Sequence, residues 1–191
     1  MRNFQLTSSF LDGGVIPRIC GYKNGNSRPF LKFSGKPKGT ESLTLIMDDP
    51  DAMGAVGKVW VHWVVWNINT NKNEITDNLG SEGMTDFGEV GYGGPAPPDK
   101  RHTYVFKLYA LDCRLDLSNE STKADVEKAM EGHIIEQATL EGTYAPWKSS
   151  LVCLTFVILD IYHQEKILPG EPILSVRHIS DIFALTYIAC I

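Results

Sequence analysis

Short stretches in which apolar and polar residues alternate recur along this chain, and a period of two is typical of β-strands with one buried face. One such run, residues 43–47, stops abruptly at Asp48-Asp49-Pro50-Asp51. The pattern therefore predicts a strand that carries carboxylates to one edge of a sheet. A second run, residues 102–109, alternates cleanly and places His102 and Tyr104 on the same face.

Between these runs lies a stretch, residues 59–66, that is apolar at almost every position. Such continuous apolar character favours a strand that is buried on both faces. A strict period of two places His62 beside Trp60. The two predicted faces are Trp60, His62, Val64 and Trp66 on one side, and Val59, Val61, Trp63 and Val65 on the other.

Glycine, proline and asparagine interrupt the first 40 residues so often that short strands and turns are predicted there, not helices. One helix is predicted farther along the chain. Thr122 is its N-cap and Asp125 its third residue, and its apolar side continues to His133 and Ile134. Residues 138–144 then return as a short strand. These elements together predict a mainly β protein with one or two short helices.

Composition excludes several classes of function. A net charge of −5 and the lack of a dense Lys/Arg stripe argue against a nucleic-acid-binding surface. The first ten residues lack the apolar core of a secretory signal, so a cytoplasmic location is predicted. The four widely spaced cysteines include no Cys-x-x-Cys pair, which indicates free thiols rather than a zinc or redox site.

The C-terminal part of the chain changes in texture from residue 145 onward. The nine residues from Leu151 to Leu159 are apolar except for Thr155, but about 20 such residues are needed to cross a bilayer. No transmembrane segment is therefore predicted. Two interpretations of residues 145–191 stay open, namely additional packed strands or an apolar, partly ordered tail.

The polar residues at the ends of the predicted strands suggest one small pocket for an anion. Protonated histidine donates from both ring nitrogens and tyrosine offers a hydroxyl, so His62, His102 and Tyr104 suit a phosphate group. Free backbone N–H groups in the glycine-rich segment 91–94 would complete a nest for the same anion.

The acidic residues of this pocket admit two roles. Asp49 and Asp51 hold and charge the histidines through hydrogen bonds, or one of them contacts an ammonium group on the ligand, with Trp60 as an aromatic face for the cation. A zwitterionic head group would satisfy both arrangements. Structural interpretations stand beside these, because Asp-Pro-Asp is a common turn and His62 and Trp60 also fit a protein core.

Three motifs resemble the signatures of the phosphatidylethanolamine-binding proteins, in particular their bacterial and archaeal Raf kinase inhibitor-like branch. They are Asp49-Pro50-Asp51-Ala52, Trp60-x-His62, and Gly91-Tyr92-Gly93-Gly94-Pro95-Ala96-Pro97-Pro98 followed by His102-x-Tyr104. The resemblance covers residues 3–144. It implies a sandwich-like fold of two antiparallel sheets with a pocket at one end, formed by residues 1–144, and an atypical C-terminal extension, residues 145–191.

The resemblance also implies a function. Members bind phosphate-like groups, including phosphoethanolamine head groups, and act as binding or inhibitory proteins toward protein kinases or serine proteases. The ligand-binding residues that correspond to the family's motifs are Asp49, Asp51, Trp60, His62, Pro97, Pro98, His102 and Tyr104. The implied protein is not an enzyme and needs no cofactor, and a homodimer is left open.

Two positions depart from the family's motifs. Met53 stands where proline is usual and makes that wall of the pocket more flexible, and Lys100 stands where glycine is usual and adds a positive charge near the mouth. Two other functions stay as alternatives. Two histidines and two carboxylates could hold the metal of a hydrolase, and a protein-interaction module could retain the pocket only as a vestige.

Overall fold

The computed structural model describes residues 3–75 and 80–146. These ranges form nine strands and two short α-helices, which confirms the mainly β prediction. The strands are β1 (Gln5–Ser8), β2 (Gly14–Val15), β3 (Leu31–Ser34), β4 (Ser42–Asp49), β5 (Trp60–Ile68), β6 (Glu74–Ile75), β7 (Ser81–Glu82), β8 (His102–Leu111) and β9 (Ile134–Tyr144). The helices are α1 (Met53–Val56) and α2 (Lys123–Ala129), with 3₁₀ turns at Arg18–Cys20 and Pro50–Ala52.

The strands are arranged in two sheets that pack on a shared core. The small sheet has the order β1-β3-β6, and the large sheet has the order β2-β9-β8-β4-β5-β7. One hydrophobic cluster contains Leu6 and Phe33 from the small sheet together with Leu45 and Phe106 from the large one. The predicted sandwich of antiparallel sheets is confirmed, although the short pair β2 and β9 is parallel.

The opposite face of the large sheet is covered by α2. Ile46, Val64 and Trp66 of the sheet form a second hydrophobic cluster with Val126 and Met130. Burial of a large apolar side chain contributes roughly 1.5–3 kcal/mol, so Val126 and Met130 favour packing of this two-turn helix against the sheet.

Helix α2 begins where the sequence predicts and ends earlier. Thr122 and Asp125 form a capping box, each side chain accepting a hydrogen bond from the other residue's backbone N–H. The predicted continuation to His133 and Ile134 is wrong, because Gly132 turns the chain at a φ of 78° and Ile134 already begins β9. His133 is consequently exposed and is not part of an apolar helix face.

The segment that follows the acidic turn contains the other short helix, α1. Asp49 accepts the N–H of Ala52, Pro50 fits the first turn, and Gly57 ends the helix at a φ of 77°. No helix within residues 3–75 and 80–146 is long and apolar enough to cross a membrane. The predictions for the C-terminal extension fall on residues 147–191, outside the described residues, apart from its first two positions.

Candidate functional site

A β-bulge in β5 decides which side chains face the candidate pocket. The cross-strand pairs at this end of β4 and β5 are Asp49 with Trp60, Asp48 with Val61, and Met47 with Trp63. His62 falls between two pairs and is the extra residue. Val64 and Trp66 therefore face α2, whereas the His62 ring contacts Tyr104 on the other face, so the predicted face of four residues is wrong beyond His62.

The alternation of β8 delivers His102 and Tyr104 to the inner face, where both residues are fully buried. Because β4 runs antiparallel beside β8, the end of β4 meets the start of β8. Asp49 Oδ2 lies 2.7 Å from His102 Nδ1, and Asp49 Oδ1 accepts the backbone N–H of Ala52 at 3.1 Å. Both oxygens of this buried carboxylate are thus hydrogen-bonded.

His102 is held between two carboxylates. Its Nδ1 contacts Asp49, and its Nε2 lies 2.8 Å from Asp99 Oδ1. Burial alone would lower the pKa of His102, but the hydrogen bonds and charges of Asp49 and Asp99 outweigh burial and raise the pKa. The two carboxylates differ in access, because the side chain of Asp99 is 51% exposed and that of Asp49 only 4%.

His62 has the opposite electrostatic environment. Burial lowers its pKa, although the Gly93 carbonyl and the charge of Asp49 act against that change. Its Nδ1 lies 2.6 Å from the Gly93 carbonyl oxygen, which requires a proton on Nδ1 and leaves Nε2 as an acceptor in the neutral ring. The expectation that carboxylates charge both histidines therefore applies to His102 and not to His62.

Two buried donors in this region make no hydrogen bond of good geometry with any described residue, although the Tyr104 hydroxyl lies close to the Asp49 carboxylate and to the backbone of Ala96. They are the Tyr104 hydroxyl and Trp60 Nε1, and both are sealed from solvent. Burial raises the pKa of Tyr104, and the nearby Asp49 carboxylate raises it further, so the hydroxyl keeps its proton. A buried polar group without a partner costs roughly 1–3 kcal/mol, which a ligand oxygen could recover.

Aromatic side chains surround the ring of His62. The Phe87 ring meets the rings of Trp60 and His62 edge to face, with centroids 5.5 and 5.4 Å away. Phe87 also stacks on Tyr22 at 4.3 Å. Lys58 Nζ lies 4.9 Å from the centroid of the Trp60 ring, so this tryptophan already carries one cation on its face.

The glycine-rich segment does not supply the free N–H groups that the sequence predicts. Gly93 N donates to the His62 carbonyl at 2.8 Å, and Gly94 N donates to Asn26 Oδ1, also at 2.8 Å. A side chain on Gly94 would collide with the backbone of Cys20. These glycines therefore serve close packing of two loops, and the anion nest is a wrong prediction for them.

Hydrogen bonds connect the loop that carries Asn26 to the end of β9. The Tyr144 hydroxyl donates to the Arg18 carbonyl at 3.0 Å and accepts from Asn24 Nδ2 at 2.8 Å. The Arg18 guanidinium donates to the Ala145 carbonyl at 2.7 Å. The last strand of the large sheet thus holds the loop that positions Gly94.

The remaining predicted site residues, Asp51, Pro97 and Pro98, differ in their contacts and in their exposure to solvent. Asp51 Oδ2 accepts the backbone N–H of Thr103 at 2.7 Å and so connects the acidic turn to β8. Pro97 is buried and Pro98 is exposed. The two departures from the family's motifs, Met53 and Lys100, are both exposed.

Two residues at the site were missed by the sequence analysis. Asp99 lies three positions before His102, a spacing that could have drawn attention to it as a partner. Phe87 lies in a polar loop with no periodic pattern, so its aromatic side chain is the one sequence feature that could have indicated a role at the site. Both are carried by loops, whose side-chain directions depend on backbone turns that residue type alone does not define.

Comparisons with known proteins identify similar chains. A family model described as phosphatidylethanolamine-binding protein matches residues 6–145. A UPF0098 protein of Methanothermobacter thermautotrophicus is 43% identical over 147 residues, which cover 72% of this chain and 95% of the relative. A UPF0098 protein of Chlamydia trachomatis is 40% identical over 146 residues, which cover 73% of this chain and 97% of the relative.

Two solved structures are also similar. The crystal structure of CT736 from Chlamydia trachomatis, a putative phosphatidylethanolamine-binding protein homolog, has a TM-score of 0.70 at 37% identity and covers 74% of this chain and 96% of its own. The crystal structure of YbcL from E. coli, described as a new member of the mammalian family, has a TM-score of 0.69 at 30% identity, with coverages of 76% and 99%. The family match and these relatives show that the chain belongs to the phosphatidylethanolamine-binding protein family.

Proposed function

We propose that this protein is a non-enzymatic binding protein whose pocket takes a phosphate-like group, either inorganic phosphate or a phosphoethanolamine head group. The observation that carries the proposal is the position of the Tyr104 hydroxyl, a buried donor that lies near Asp49 and Ala96 without a hydrogen bond of good geometry to a described residue. The Tyr104 ring contacts the His62 ring, and Tyr104 follows His102 by two positions on the same face of β8. A phosphate oxygen can accept a hydrogen bond from this hydroxyl. Other oxygens of the same phosphate can accept from His102 and Trp60, which are also donors.

In this proposal the phosphate takes the place of Asp99 on His102. Asp99 is the exposed partner of the ring, so it can turn toward solvent while Asp49 keeps Nδ1. A phosphate oxygen then accepts from Nε2 of a charged imidazole, which is stronger than a bond between neutral groups. The displaced Asp99 carboxylate is the natural contact for an ammonium group on the same ligand.

The proposed biological role is supported only by the family resemblance. The protein partner in this proposal is a protein kinase or a serine protease, which the loaded pocket would regulate. The cytoplasmic location, the homodimer and the separate C-terminal extension, residues 145–191, stay predictions.

The test is calorimetric titration with phosphate and with phosphoethanolamine. Tyr104→Phe removes one oxygen and is expected to weaken binding at least tenfold, since a hydrogen bond to a charged group contributes roughly 1.5–3 kcal/mol. Tyr109→Phe is the matched control, because Tyr109 lies on the same strand but in the cluster that faces α2. His102→Ala is expected to abolish binding. Unchanged affinity in both pocket variants would contradict the proposed site.

The alternatives receive less support from the described residues. The pocket's histidines and aspartates are not among the side chains that bring three ligand atoms together in residues 3–75 and 80–146. Both nitrogens of His102 are also used by carboxylates. If neither ligand binds to the wild-type protein, a protein-interaction module with a vestigial pocket becomes the better description.

A further inference from the structure

A cluster of potential metal ligands lies where β8 ends and β9 begins. Asp112, Cys113 and His133 each offer one ligand atom, and these three atoms lie within 4.8 Å of one another. The strand β8 spans 10 residues from His102, and at about 3.3 Å per residue its far end lies roughly 30 Å from the pocket. The cluster is therefore separate from the candidate anion site.

The backbones of all three residues are held in place. Asp112 N donates to the His133 carbonyl at 3.1 Å, and His133 N donates to the Met130 carbonyl at 3.0 Å. The Ser42 hydroxyl donates to the carbonyl of Cys113. Ligands that project from a sheet edge and a tight turn keep their relative positions, which reduces the entropy cost of binding an ion.

The charges around the thiol favour a cation. His133 Nδ1 and Asp112 Oδ1 lie 2.8 Å apart, so one proton or one metal ion can link them. The carboxylates of Asp112 and Glu41 lie near enough to Cys113 to act on it electrostatically. Their negative charge favours a bound divalent cation.

We propose that Asp112, Cys113 and His133 form a binding site for a divalent transition-metal ion of the zinc class. Thiolate, imidazole and carboxylate are the donors that zinc takes in proteins, at about 2.0–2.3 Å. Ligand atoms around such an ion lie about 3.3–3.8 Å apart, so shifts of roughly 1 Å complete the geometry. Three protein ligands leave one position to water, and the Cys113 thiol releases its proton to solvent when the ion binds.

The exposure of the cluster agrees with an ion that exchanges with solvent. Asp112 and His133 are exposed and Cys113 is half-buried. An ion can therefore enter without opening the fold, and its fourth position stays accessible. The site differs in this respect from the closed four-ligand zinc centres that hold small domains together.

The test is a titration of the full-length chain with Co²⁺, followed by competition with Zn²⁺. Cys153 and Cys190 are first replaced by serine, so that a thiolate signal can come only from Cys20 or Cys113. The expected result is one equivalent of Co²⁺ with tetrahedral visible bands and a near-ultraviolet thiolate charge-transfer band. Zinc is expected to displace the cobalt.

Substitutions then assign the ligands. Cys113→Ser is expected to abolish the charge-transfer band, and His133→Asn to weaken binding at least tenfold, while Cys20→Ser leaves both unchanged. Circular dichroism checks that each variant is folded. The proposal is overturned if the parent chain binds no stoichiometric Co²⁺, or if binding and the charge-transfer band survive both Cys113→Ser and His133→Asn.

Discussion

Asp48 and Asp49 are neighbours in the sequence, yet they lie on opposite faces of the large sheet and are neutralised in different ways. Asp48 Oδ2 accepts from Lys107 Nζ at 3.0 Å and from Lys123 Nζ at 2.8 Å. Asp49 instead contacts the ring of His102 at 2.7 Å. One face therefore pairs its carboxylate with lysines, and the other with a histidine.

The difference separates a structural network from an adjustable site. Lysine stays charged at physiological pH, so Asp48 permanently connects β4, β8 and the start of α2. His102 is a titratable partner whose pKa is raised by its two carboxylates, and the second of these, Asp99, is exposed. A ligand or a proton can thus change the charge of the pocket face while the helix-covered face keeps its own.

The largest expected effect is on the lysine side of this comparison. Asp48→Asn removes the shared charge and is expected to cost about 2 kcal/mol of unfolding free energy. Fully buried pairs cost roughly 3–5 kcal/mol when broken, but Lys107 and Lys123 are 31% and 20% exposed and can reach water. Urea denaturation measures the loss, with Asp116→Asn at an exposed position as the control. A loss below about 0.5 kcal/mol would mean that the network is only a surface feature.

On the histidine side of the comparison, the substitution Asp49→Asn tests whether this carboxylate raises the pKa of His102. The amide still fits beside Ala52, but it no longer charges the ring, so the pKa of His102 is expected to fall from its raised position. Titration of the histidine ring resonances by NMR measures the change. Asp48→Asn is expected to leave that pKa nearly unchanged, and an equal fall in both variants would show that the two faces are not separate.

A smaller effect is expected at the exposed carboxylate. Asp99→Asn replaces a negatively charged competitor on His102, so phosphate affinity is expected to rise about threefold, or about 0.7 kcal/mol. The preference for phosphoethanolamine over phosphate is expected to narrow, because the contact for the ammonium group is lost. Glu89→Gln, at an exposed position of another loop, is the control. Weaker phosphate binding in Asp99→Asn would contradict displacement of Asp99 by the ligand.

The smallest effects concern the pH dependence of stability. The raised pKa of His102 contributes stability that is complete below about pH 6.5 and is lost as pH rises through the raised value. The lowered pKa of His62 acts in the other direction, and stability is lost as pH falls from about 6.5 through the lowered value. Denaturation across this range is expected to become flatter on the alkaline side in His102→Gln and on the acid side in His62→Gln.

Much of the fold was predictable because strand periodicity reports burial directly. The alternation of β8 correctly gave both of its faces, and Thr122 with Asp125 correctly gave the start of α2. The same argument could not show which residues of β5 face each side of the sheet. A strand that is apolar on both faces carries no alternation from which the bulge at His62 could be seen.

The candidate site was likewise predictable from the sequence only in part. The sequence brought Asp49, His102 and Tyr104 together because strand ends meet at a sheet edge, and the structure places them there. The glycine N–H groups and Asp99 are different, since their directions follow from loop conformation. Gly93 donates to a neighbouring strand and Asp99 folds back on His102, and neither contact has a periodic signature.

The connection between Tyr144 and the first loops has a consequence for biosynthesis. Asn24 and Tyr144 are 120 positions apart, and Arg18 and Ala145 are 127 apart. A ribosome releases the loop long before it releases the strand that anchors it, because translation adds only about 5–20 residues per second. The nascent chain therefore carries all its pocket residues for several seconds before the last strand can hold the first loop in place.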